Sequence, residues 1–132
     1  MVWELSAQLQ GEVRKLTARP ALDAEGRLCA RIEEAAESVS RSVADALDAD
    51  RDRDFARHIR LARAAATAVR DSLQMALIKR CVTEADLRAV RLILGQFYPA
   101  LTALLVSTAN FRSETPGRSP SYSRPSGGSF RT

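Results

Sequence analysis

With 132 residues and a mass of 14.5 kDa, the chain is the size of one domain and can bury a core without disulfide or metal staples. Aromatic residues make up only 5% of it, and Ala, Leu, Arg and Glu outnumber β-branched runs, which favours closely packed helices over sheets. The net charge of +4 is unevenly spread: residues 1–50 carry six basic and ten acidic groups, 51–80 eight and three, 81–111 two of each, and 112–132 four and one. The basicity therefore belongs to one internal segment and the C-terminal end, not to a generally cationic body.

The first predicted helix runs from about Val2 to Thr17, with Val2, Leu5, Leu9, Val13 and Leu16 on one stripe. Arg19-Pro20 ends it, because the residue before a proline is pushed out of the helical region. Trp3, the only tryptophan, is expected to anchor one end of the bundle with its ring buried. A second helix is expected to start near Asp23 as N-cap and to turn Leu28, Ile32, Ala35, Val39, Val43 and Leu47 inward. Its outer face carries the acidic run Glu33, Glu34 and Glu37. The joint from Asp48 to Asp54 has neither Gly nor Pro and is long enough only to reverse the chain between antiparallel neighbours.

The third predicted helix, Asp54 to Arg80, organises the rest. Phe55, Ile59, Ala62, Ala66, Val69, Leu73 and Ala76 recur at steps of four and three, the a/d seam of a heptad. Leu61, Ala65, Ala68 and Met75 widen the apolar arc on the flanking positions, while Arg57, Arg60, Arg63, Thr67, Arg70, Asp71 and Gln74 hold the remainder. So broad an arc requires two neighbours, either both within the bundle or one of them in a second subunit. A capping box, Thr83-Glu-Ala-Asp86, opens the fourth helix, whose seam is Leu87, Val90, Leu94, Phe97, Leu101 and Leu104. Gly95 and Pro99 lie inside it, and the stripe continues in register beyond them, so a bend is expected there and not an end.

These four amphipathic helices and short joints predict an all-α, antiparallel up-down-up-down four-helix bundle over residues 1–111. Residues 112–132, rich in Ser, Pro, Gly and Arg, bury too little apolar surface to fold and read as a disordered tail. No signal peptide is expected at the start, and no stretch is expected to approach the roughly 20 apolar residues of a membrane span. With Cys29 and Cys81 far apart and read as buried free thiols, the setting is a reducing cytoplasm, with no membrane partner.

Catalytic chemistry is thinly supplied. His58 is the only histidine and sits at the edge of the apolar arc, where packing is its expected role. No phosphate loop, metal-ligand spacing or calcium loop occurs, so neither a cofactor nor a metal is expected, and the chain reads as a non-enzyme. The candidate contact residues are Arg57, Arg60, Arg63 and Arg70. They suit either the phosphates of RNA or DNA, held without base reading, or acidic protein surfaces such as the Glu33 to Glu37 run of a neighbouring subunit.

The order of motifs carries one resemblance. Val2-Trp3 opens the first helix, ARIEEAAESVSRSVADAL runs from Ala30 to Leu47, and Phe55 with Ile59, Leu61 and Ala62 opens a long third helix. That progression resembles the bacterial four-helix-bundle family encoded by intervening sequences in 23S ribosomal RNA genes, to which the accessory variability protein of diversity-generating retroelements is related. The resemblance spans residues 2–110. It implies a homopentamer of bundles without enzymatic activity and, through the retroelement relative, binding to nucleic acid and to a nucleic-acid-processing protein. Where the family reads Ser-Ile-Pro-x-Asn-Ile-Ala-Glu-Gly in the second helix, this chain has Ser38 to Ala46 without the Pro, Asn or Gly.

Overall fold

The computed structural model describes residues 1–114, with side chains described through Thr108. All regular structure among them is helical: α1 (Val2–Thr17), α2 (Pro20–Asp23), α3 (Gly26–Leu47), α4 (Asp52–Ile78) and α5 (Glu84–Glu114). Four of these are the expected helices. The fifth, α2, is a single turn with Pro20 at its first position, where the missing N–H costs nothing. Asp23 therefore closes α2 and does not cap the next helix, which begins at Gly26 after Glu25. The last residues of α5, Arg112 to Glu114, fall inside the expected tail; residues 115–132 of that tail lie outside the described residues.

The long helices share one core because each buries the stripe its spacing defines. Leu5, Leu9, Val13 and Leu16 of α1 meet Leu28, Ile32, Val39 and Val43 of α3, Ile59, Val69 and Leu73 of α4, and Leu87, Phe97 and Leu101 of α5, all with at most 5% of their surface exposed. Each such side chain removed from water contributes about 1.5–3 kcal/mol before entropy is charged against it. α3 packs on α1 and α4, and α5 packs on α1 and α4. Two buried hydroxyls are satisfied within their own helix: Ser6 donates to Trp3 O at 2.7 Å and Thr17 to Arg14 O at 3.3 Å.

The ends of α4 and α5 follow from local chemistry. Asp52 and Asp54 occupy the first turn of α4, where the helix dipole favours negative charge. At the other end Arg80 has φ 64°, with Arg80 N donating to Leu77 O at 3.0 Å and Cys81 N to Ala76 O at 2.9 Å, the paired bonds of a Schellman turn. The capping box forms as expected: Asp86 N donates to Thr83 Oγ1 at 3.2 Å, and Thr83 N donates to Asp86 Oδ2 at 2.8 Å. α5 then continues through Pro99. Proline supplies no N–H to the carbonyl of Gly95 one turn back, yet the flanking apolar contacts hold the helix in register.

Several expectations fail for identifiable reasons. Leu47 is 63% exposed and Ala46 is buried in its place. Each step of four overshoots a turn by about 40°, so the three successive steps from Ala35 to Leu47 rotate the stripe by about 120° away from the core. Trp3 is 50% exposed, and Val2 beside it is the residue that packs. Cys81 is only half buried. The expectation that no stretch approaches a membrane span is also overturned: Glu84–Thr108 is long and apolar enough to cross one, because no charge falls between Leu92 and Phe111. Within the fold that helix places Leu87, Val90, Leu94, Phe97 and Leu101 in the common core.

Candidate functional site

Arg57, Arg60, Arg63 and Arg70 are all exposed on α4. They are not one narrow strip, since each step of three turns the helix back by about 60°. Arg63 and Arg70 reach toward α5, while Arg57 turns to His58. The Arg63 guanidinium carbon lies 5.9 Å from the centre of the Tyr98 ring, a cation–π contact worth about 0.5–1 kcal/mol at an exposed site. Tyr98 is held there by its hydroxyl, 3.0 Å from Thr67 Oγ1. Arg70 lines a cleft of about 30 Å³ with Leu73 and Gln74 on one side and Leu87, Val90 and Arg91 on the other. That is room for about one water and not for a cofactor, so its chemistry is that of a cationic seam.

Tyr98 and Arg91 are the two members the spacing of α4 does not reveal. Both come from α5, which the short turn at Lys79 to Thr83 folds back along α4. The signal was the tightness of that joint, which places the middle of one helix against the middle of the other. Tyr98 thus brings an aromatic face to the arginines from another helix.

The four arginines differ in their immediate partners. Arg70 Nε lies 3.3 Å from Asp71 Oδ1, a pair exposed on both sides and worth little to stability. The Arg57 guanidinium lies 3.4 Å from His58 Nε2. With that nitrogen accepting, the ring proton sits on Nδ1, which is buried without a hydrogen-bond partner among the described residues. Arg60 forms no ion pair among the described residues.

The acidic run of α3 faces elsewhere. Glu33 and Glu37 line a cleft of about 230 Å³ with Gln10, Val13 and Arg14 of α1. Among the described residues no ion pair joins Glu33, Glu34 or Glu37 to an arginine of α4, so pairing of those faces within one chain does not occur.

Reactive groups are isolated. Burial pushes the Cys29 thiol up, with the carboxylates of Glu33 and Asp23 adding to the shift, and its Sγ lies 3.7 Å from Thr17 O. A thiol so held is a weak nucleophile. Among the described residues no group of three or more His, Cys, Asp or Glu side chains converges to hold a metal ion.

α4 also keeps apolar surface in solvent. Leu61 is 46% exposed, Met75 42% and Ile78 65%, and Ala64 and Ala68 between them are exposed as well. The chain matches no family model, no curated protein and no solved structure.

Proposed function

We propose that this chain is a non-enzymatic, homo-oligomeric four-helix-bundle protein that acts as an adaptor, holding the phosphate backbone of RNA or DNA along the arginine flank of α4. The up-down-up-down order α1, α3, α4, α5 is supported by two end-to-end links. Lys79 Nζ lies 3.6 Å from Glu25 Oε1, joining the end of α4 to the start of α3. Arg19 Nη1 lies 2.9 Å from Asp86 Oδ1, joining the end of α1 to the start of α5. Membership of the intervening-sequence family rests on the resemblance given above, as does the count of five copies. A cytoplasmic setting is supported by the two free cysteines.

The observation that carries the nucleic-acid reading is the seam between α4 and α5, where Arg63 lies over Tyr98 and Arg70 shares a cleft with Arg91. Guanidinium groups beside an aromatic face suit sugar-phosphate backbones and do not read base edges. Binding of labelled single-stranded RNA and duplex DNA, titrated between about 50 and 200 mM salt, tests it. Three or four neutralised phosphates give a log-log slope near −0.9 each on duplex, so affinity falls by about a hundredfold over that range. Arg60→Glu with Arg63→Glu removes most of that affinity. Absence of binding at low salt contradicts the proposal.

A second reading is favoured by the acidic run of α3, which is exposed and unpaired with the α4 arginines of its own chain. In it the chain is an interaction scaffold, the arginines meeting Glu33 to Glu37 of a neighbouring subunit. The same double reversal then dissociates the oligomer with no nucleic acid present; an unchanged mass rejects that reading.

A further inference from the structure

The exposed apolar side of α4 repeats the spacing of its buried seam. Arg57, Leu61, Ala64, Ala68, Asp71 and Met75 follow one another at steps of four and three, and Ile78 continues them. Every one of these residues is exposed. A heptad seam left in water on a helix of 27 residues has the form of one half of a helix pair. Its centre is small, Ala64 and Ala68, so a facing helix can approach closely, and its larger apolar members flank that centre.

The charges decide what covers it. Arg57 and Asp71 are fourteen residues apart, about 21 Å along the axis, on opposite sides of the alanine centre. Laid parallel against itself, the seam sets Arg57 near Arg57 and Asp71 near Asp71, like against like. Laid antiparallel, it sets each Arg57 near the Asp71 of the other copy, at both ends at once. A surface whose two halves complement one another under a two-fold rotation is what an isologous contact requires. A lipid surface is disfavoured by Asp71 within the stripe.

We propose that the outer stripe of α4 packs antiparallel against the same stripe of a second copy of this chain, about a two-fold axis at Ala64, with each Arg57 paired to Asp71 of its partner. This rests on the self-association put forward above, names its interface and sets an even number of copies in place of the five that the resemblance implies. The contact closes on itself and yields even numbers of copies, whereas a ring of five joins unlike faces. Arg63 and Arg70 lie outside it, on the side of α5.

Charge exchange tests it by light-scattering mass, with helical circular dichroism recorded beside each sample. The native chain gives twice the single-chain mass of 14.5 kDa or an even multiple of it. Arg57→Asp sets carboxylate against carboxylate and Asp71→Arg sets guanidinium against guanidinium, so each alone weakens the pairing by about tenfold or more. Arg57→Asp with Asp71→Arg in one chain restores the native mass. So does mixing the two single variants, since each then meets an opposite charge at both ends. A native chain at single-chain mass overturns self-association and this interface together. A native assembly whose mass neither single variant changes, or that holds five copies, overturns this interface and leaves self-association standing.

Discussion

The two seams of α4 have one spacing and opposite fates. Ile59, Ala62, Ala66, Val69, Leu73 and Ala76 are at most 2% exposed, whereas Leu61, Met75 and Ile78 on the outer stripe are 42% to 65% exposed. Periodicity alone does not choose between them, because both satisfy a helix pattern. Side-chain chemistry does. The inner seam is uncharged and carries the branched bulk of Ile59, Val69 and Leu73, while Arg57 and Asp71 interrupt the outer one. Burying those two charges unpaired in a monomer core costs several kcal/mol each, but against a second copy they can meet each other.

Substitutions that act on one seam at a time can break or sharpen that contrast. Ile59→Ala opens a cavity among residues that cannot collapse into it, and a loss of about 2–4 kcal/mol in urea unfolding is expected. Leu61→Ala, two positions away, leaves the unfolding of the separated monomer within about 0.5 kcal/mol of native and lowers the mass of the assembly instead. Comparable losses from both would mean the outer stripe is a core face after all. At the start of α5, Thr83→Ala removes the hydroxyl that accepts from Asp86 N and costs about 1 kcal/mol. At the end of α4, Arg80→Gly relieves a positive φ at a closed Schellman turn and raises stability by up to about 1 kcal/mol, read as a higher urea midpoint.

The smallest expected effect is in acid. The Asp86 carboxyl is held below its ordinary value first by the Thr83 backbone N–H, which outweighs the opposing cost of burial, and then by the Thr83 hydroxyl and Arg19. A lowered folded pKa stabilises above the unfolded value, near 3.9, and that contribution is lost as pH falls through the lowered one. Asp86→Asn therefore flattens the acid limb of stability below about pH 4 and leaves the neutral region's slope unchanged.

Much of the fold is legible in the chain because one physical rule, burial of a periodic apolar stripe, governs most of it. The inner residues of α1, α4 and the first three turns of α5 are read correctly from spacing, and the Thr83 box from two side chains. What spacing misses depends on accumulated rotation or on neighbours. Leu47 looks inward by one more step of four, yet the drift carries it outside. The turn α2 is too short to show a period. The arginines are legible as candidates, but their division is not: only packing of α5 against α4 reveals that Arg63 meets Tyr98 and that Arg70 shares a cleft with Arg91. The acidic run of α3 likewise shows its direction only once α1 is beside it.

On the interface proposed above, α4 keeps its outer stripe for another copy of the chain. The measurement closest to it is the light-scattering mass of the native chain beside a Leu61→Glu, Met75→Glu variant, both followed through dilution with helical content monitored. The account predicts a native mass above 14.5 kDa, a variant at the single-chain value, and equal helical content in the two. A native chain at 14.5 kDa throughout, or a variant that keeps the native mass, contradicts it.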